Sequence, residues 1–215
     1  MSSSSLPILV IALAVSGYWL RVVQMAQRQK RRRGRAANFI PAEQTGRWNR
    51  LFWVPAVGVW VVHPFYTALA TNDAPRVLAP LVHVPLGLKW LLAGVVVACV
   101  GFTTVCWRRM GKSWRMGIDP NEKTNLVVSG PYAYVRHPIY ALSLAMMAAT
   151  MAAIASPLML AAGAVHLALL VWEARREESH LAALHGDTYR RYCSRVGRFV
   201  PSPVRRGTQV SQQAP

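Results

Sequence analysis

The sequence predicts an all-α integral membrane protein of about five transmembrane helices, the last two a helical hairpin, with a cytoplasmic helical C-terminal tail. Three observations lead there. Hydrophobic residues make up 53% of the 215 and come in long blocks without charge. The blocks approach the roughly 20 residues needed to cross a bilayer. The 25 Lys and Arg, which against eight Asp and Glu give a net charge of +17, sit in alternate connecting segments, as the positive-inside rule expects. Such an excess could also suggest nucleic acid, but the bases lie between apolar blocks rather than on one amphipathic face, so no nucleic-acid partner is expected.

Leu6 to Val23 is the first block. A signal peptide would carry its basic residues before the apolar stretch. Here they follow it, as Arg28, Lys30, Arg31, Arg32, Arg33 and Arg35. That asymmetry predicts a retained span with its N-terminus outside. Asn38 to Arg50 reads as a cytoplasmic connector broken by Pro41 and Gly46. Leu51 to Ala70 is the second block, rich in interfacial aromatics (Trp53, Trp60, Phe65, Tyr66) and interrupted by Pro55, His63 and Pro64. These predict kinks and a satisfied imidazole rather than a ligand site. Thr71 to Pro85 carries the turn residues Asn72, Asp73, Pro75 and Pro80, with Arg76 its one basic residue. It should therefore face outward, with His83 a solvated loop residue.

Leu86 to Trp107 is the third block, with Lys89 placed to snorkel from one end and Arg108-Arg109 closing the other. Met110 to Val135 is a polar stretch with Arg115, Asp119, Glu122 and Lys123. Its short run Leu126-Val127-Val128 should pack over the membrane face of a site. Pro138 to Trp172 then holds no charge, and Ser156-Pro157 divides it into two helices of about 17 residues that turn back on each other. Small residues from Ala148 to Ala164 suit close helix packing in lipid. His166, inside this hairpin, reads as a buried, satisfied histidine. Cys99, Cys106 and Cys193 form no CxxC pair and read as small apolar fillers.

The tail is charged. Glu177, His180, Leu181 and Leu184 share one helical face, Gly186 should end that helix, and Asp187 should cap a second one bearing Tyr189, Tyr192 and Val196. Pro201 and Pro203 stop it, and residues 202–215 are expected to be disordered.

Two polar clusters flank the hairpin and, by this topology, meet on the cytoplasmic side. One is Tyr132-Ala133-Tyr134-Val135-Arg136-His137-Pro138-Ile139-Tyr140, in a loop leading into a helix whose first turn tolerates Pro138. The other is Glu173 to His180. Four of the eight carboxylates (Glu173, Glu177, Glu178, Asp187) fall in or just after it. Read plainly, this is a solvated helix with Arg175 and Arg176 as partners. Read as a site, a carboxylate suits a cationic group or ribose hydroxyls, the tyrosine rings suit a cation, and Arg136 with His137 could hold a carboxylate or phosphate.

The stretch Leu126 to Tyr140 resembles the signature of the isoprenylcysteine carboxyl methyltransferase family, to which phospholipid N-methyltransferases are related. So does the tail, through Glu177-Glu178, Leu181, Gly186, Tyr189, Tyr192 and Phe199-Val200-Pro201. The likeness runs from about Gly111 to Pro201, and the first three segments match only in being apolar. It implies a membrane methyltransferase using S-adenosylmethionine on a lipophilic or membrane-delivered acceptor, a small molecule or a lipidated one. By the motif match, Leu126, Val127, Tyr132, His137, Pro138, Ile139, Tyr140 and Glu177 would line the cofactor site. Arg136 and Glu178 are the candidates for catalytic roles, and no metal is implied. Glu173 stands where the family holds substrate with an Arg, which departs from a prenylcysteine specificity.

On this reading residues 1–107 hold three helices and a basic loop, 108–201 form the methyltransferase-like core, and 202–215 are the tail. The expected setting is a bacterial inner membrane with the site facing the cytoplasm. Two alternatives stay open: an NADPH-dependent membrane reductase of the sterol type, with Arg190, Arg191 and Arg195 available to the extra phosphate, and a non-catalytic membrane protein of the same fold.

Overall fold

The computed structural model describes residues 5–33, 44–69, 74–111, 114 and 126–202. These form helices α1 (Leu6–Arg33), α2 (Gln44–Leu69), α3 (Leu86–Met110), α4 (Pro138–Ile154) and α5 (Pro157–Arg195), with a 3-10 turn at Gly130–Ala133. Among the described residues there is no strand, only one parallel bridge between Val135 and Gly197. The expected polar residues Arg115, Asp119, Glu122 and Lys123, the turn residues Asn72 and Asp73, the breaker Pro41 and the tail beyond Ser202 lie outside the described residues.

α1, α2, α3 and α5 are long and apolar enough to cross a membrane, and α4 is shorter. The 17 residues of α4 reach only about 25 Å, against the ~30 Å of a hydrocarbon core. α4 packs chiefly on α3 and α5 chiefly on α2, while α1 lies against both α2 and α3. The hairpin helices are thus held mainly by the preceding helices. They still approach closely at Gly163, where a methyl group would overlap the Met151 side chain. The core gathers Ile8, Ile11, Val15, Trp60, Val96 and Met146.

The break expected at Ser156-Pro157 is present, and its polar groups are paired. Ala155 adopts the left-handed conformation (φ 50°, ψ 38°) and its N–H donates to the Met151 carbonyl. Ser156 Oγ accepts from the Met159 N–H (3.2 Å), capping α5. His63 Nε2 lies 3.3 Å from the same hydroxyl, and its Nδ1 lies 3.3 Å from Thr67 Oγ1. His63 is therefore satisfied, as expected, and it ties α2 to the hairpin turn. α2 runs on through Pro55 and Pro64. His166 is buried and held at Nε2 by Ser143 Oγ (3.0 Å). Its Nδ1 has no partner, so it is satisfied on one side only. Cys99 and Cys106 are free and buried, in keeping with apolar fillers.

The tail differs from expectation in one respect. The charged helix is not separate from the hairpin: α5 continues from Pro157 through the charged stretch as far as a kink at Gly186, which is longer than a hydrocarbon core. Its uncharged part, Pro157 to Trp172, matches α4 in length. The charged part from Glu173 on is the stretch that composition disfavours in hydrocarbon. Gly186 (φ 54°, ψ −128°) interrupts the helical dihedrals where the sequence places a break, in a region that favours glycine. Asp187 does not act as the expected cap; its Oδ1 accepts from Arg190 Nε at 3.1 Å.

Candidate functional site

The site is built where the loop before α4 meets the charged half of α5 and the residues after it. The 3-10 turn presents Tyr132, which is buried. Its carbonyl accepts a 2.6 Å hydrogen bond from Tyr192 Oη, while its own hydroxyl is buried without a partner. Burial, with Cys106 and Glu177 nearby, pushes this phenol well up, so the hydroxyl keeps its proton and can donate.

His137 and Pro138 open α4, and His137 is buried at 8% exposure. The His137 ring stacks on Tyr140 at 5.4 Å and 7°, with Phe199 of the tail at 6.1 Å. Tyr140 Oη donates to Glu177 Oε1 at 2.6 Å. The other oxygen of Glu177 lies 3.6 Å from His137 Nδ1. His137 Nε2 lies 3.1 Å from Glu178 Oε1, and an ionised carboxylate only accepts, so the imidazole is the donor there. The two adjacent carboxylates thus take opposite edges of one imidazole.

Glu178 collects more than His137. Arg198 holds it from both sides, Nε to Oε1 at 2.9 Å and Nη2 to Oε2 at 2.6 Å, the forked geometry that makes such pairs strong. Arg136 Nε lies 3.3 Å away as a charge contact, and Arg136 Nη1 donates to the Cys193 carbonyl at 3.3 Å. Burial by itself would raise the Glu178 carboxyl, but the hydrogen bonds from His137 and Arg198 and the Arg136 charge hold it down at about 2. It is ionised at any working pH.

The backbone completes the docking. The Arg136 N–H donates to the Gly197 carbonyl (2.8 Å) and the His137 N–H to the Arg198 carbonyl (3.0 Å). A Cβ at Gly197 would collide with the Val200 carbonyl oxygen, which is backbone and has little room to move. Gly197→Ala should therefore free the segment 197–202 from the loop. We expect faster amide exchange at Arg136 and His137 by at least tenfold, read by hydrogen–deuterium exchange, with α1–α3 unchanged.

The structure brings together Arg136, His137, Tyr140, Glu177 and Glu178, with Tyr132 nearby through its link to Tyr192. Ile139 and Tyr140 face a second space, a cleft to which all five helices contribute, among them Trp19, Arg50, Trp107 and Glu173. Arg136 and Glu178 border a separate groove on the tail, with Arg175, Arg190 and Arg198. Leu126 and Val127 are half-buried and border neither. Arg198 was missed from the sequence, which marks only the adjoining Phe199-Val200-Pro201. The carboxylate of Glu173 accepts from Asn49 Nδ2 (3.0 Å) and Arg176 Nη1 (2.9 Å). Among the described residues no group of His, Cys, Asp and Glu could hold a metal.

No curated protein matches the chain. Residues 89–188 match the model of a family described as phospholipid methyltransferase. The match begins at Lys89, ahead of the Gly111 expected from the motifs, and so takes in α3 as well as α4. It stops at Thr188, short of the tail that docks on the site. Together with the apolar helices, this likeness supports a multi-pass membrane protein of methyltransferase type.

Proposed function

We propose that the protein is a membrane methyltransferase that uses S-adenosylmethionine and methylates a lipophilic acceptor reached from the bilayer, with its site on the cytoplasmic side. The observation that carries this reading is the Tyr140–Glu177–His137–Glu178 chain, lying inside the stretch that matches a methyltransferase family. The donor set fits the cofactor. Glu177 is partly open, at 23% exposure, and its carboxylate can accept from a ribose diol or an ammonium. The unpartnered Tyr132 hydroxyl offers a donor, and the His137, Tyr140 and Phe199 rings offer a surface for a flat base.

When bound, the cofactor supplies a methyl group on a sulfonium, and transfer disperses positive charge along one line. The residues of this chain then have three tasks: to hold, to align and to keep water out. Glu177, fixed by Tyr140, holds. Arg136 and Arg198, both on Glu178, close the tail over the loop and exclude water. With its guanidinium committed to Glu178 and to the Cys193 carbonyl, Arg136 is read as a positioning residue rather than a clamp for the acceptor. If the acceptor must lose a proton, His137 is the group set between two carboxylates to take it. Whether the acceptor is isoprenylcysteine-like is a narrower reading, and the pairing of Glu173 with Arg176 speaks against a simple transfer of that specificity.

The test is calorimetric titration of S-adenosylmethionine into detergent-purified protein. Micromolar-range binding is expected. Lack of binding to folded protein, with binding of NADPH instead, would move the assignment to the reductase, for which Arg190 and Arg198 border a basic groove. Binding of neither would favour the non-catalytic reading.

A further inference from the structure

The cleft beside Tyr140 has features that cofactor binding does not use. Arg50, in the second turn of α2, lines it together with Tyr140 and Glu173. Its guanidinium lies over the Trp53 ring at 4.9 Å. Arg50 feels the charges of Glu173 and Glu177, but among the described residues it makes no ion pair or hydrogen bond, and Glu173 itself is bonded by Asn49 and Arg176. An arginine that merely snorkelled would turn its head to water; this one is partly buried in the cleft wall. Two further donors in the lining, the buried indole N–H groups of Trp19 and Trp107, also lack partners. Against these stands one unpartnered acceptor, Asn49 Oδ1. Buried donors without partners are costly, and native proteins leave few of them.

The aromatic lining could suggest a cation site instead. The contacts disfavour it. Trp53 already carries Arg50 and stacks with His166, Tyr18 and Trp107 stack on each other at 5.3 Å, and Glu173 is paired. The cleft lining holds one cation, Arg50, and one carboxylate, Glu173, and what it has in surplus is N–H donors, set in apolar walls.

We infer that this cleft is an anion subsite for the acceptor, in which Arg50, assisted by the Trp19 and Trp107 indoles, receives the carboxylate or phosphate oxygens of an amphiphile. The inference rests on the methyltransferase reading for its place in catalysis, because Tyr140 borders the cleft and also holds Glu177. A carboxylate bound there would be close to the methyl acceptor itself; a phosphate would anchor a headgroup whose other end is methylated.

The probes are dodecanoate, dodecyl phosphate, dodecanol and dodecyltrimethylammonium, titrated into protein in a neutral detergent and followed by tryptophan fluorescence. Both anions, or one of them, should bind the wild type at least tenfold more tightly than dodecanol. Arg50→Gln should remove that preference by about tenfold or more, the worth of a charge-assisted hydrogen bond, and Arg50→Lys should keep part of it. The better anion identifies the source, carboxylate or phosphate. Equal binding of anion and alcohol to the wild type, preference for the ammonium probe, or an anion preference untouched in Arg50→Gln would overturn the inference. S-adenosylmethionine titrated into the same samples separates the two readings: cofactor binding without anion preference sinks only the subsite, and the reverse sinks only the methyltransferase. Should Arg50→Gln fail to fold, the wild-type comparison of anion with alcohol still decides.

Discussion

Glu178→Ala should abolish S-adenosylmethionine binding and at least a hundredfold of any methyl transfer while leaving the transmembrane core folded. The carboxylate is the common partner of His137, Arg136 and Arg198, and its side chain is only 13% exposed. Removing it leaves two guanidiniums facing each other in a confined space, and breaking such a cluster from one side costs about 3–5 kcal/mol. The lipid-facing helices do not depend on it, so the cost should appear as local opening of the segment 197–202. Limited proteolysis there and calorimetry with the cofactor would measure the two effects; unchanged binding would show that tail docking is not needed for the site. Glu178→Gln separates charge from shape, since the amide keeps the size but loses ionisation. Acid gives the same test without mutation. The folded carboxyl titrates at about 2 against an ordinary value of 4.5, so its contribution is complete above 4.5 and is lost as the pH falls towards 2.

Much of the scaffold was legible because lipid makes sequence simple. Apolar block length marks spans, basic clusters mark their flanks, and a lone Ser-Pro in an uncharged run marks a turn. Gly186 was legible too, since a glycine inside a charged helical pattern has few other uses. The joining of hairpin and tail into one long α5 was not. Composition changes at Trp172, but a change of solvent does not end a helix when the residues that follow, Glu-Ala-Arg-Arg-Glu-Glu, are good helix formers. The site was legible by pattern only as far as Glu177, Glu178 and the loop before α4. The backbone pairing of Arg136 and His137 with Gly197 and Arg198 leaves no periodic trace in the sequence. Arg50 was read as the end of a connector, because the chain gives no sign that α2 begins six residues earlier and turns it towards α5.

Glu177→Ala should weaken S-adenosylmethionine about a hundredfold, and Tyr140→Phe should reproduce part of that loss through the same carboxylate. Glu177 accepts from Tyr140 at 2.6 Å, a charge-assisted bond of about 1.5–3 kcal/mol, and faces His137 Nδ1 at 3.6 Å. The hydroxyl fixes one oxygen, so the other is aimed rather than free to turn. If Tyr140 acts only by aiming Glu177, the double variant should bind no more weakly than Glu177→Ala alone, and the coupling energy should equal the whole effect of Tyr140→Phe. If the two losses add, Tyr140 touches the cofactor by itself, through its ring stacked on His137, and Tyr140→Leu should then cost more than Tyr140→Phe. Either pattern keeps both residues in the site and divides its binding energy between a held carboxylate and an aromatic wall. Full-strength binding in both single variants would remove the Tyr140–Glu177 pair from the site and leave it as a brace between α4 and α5.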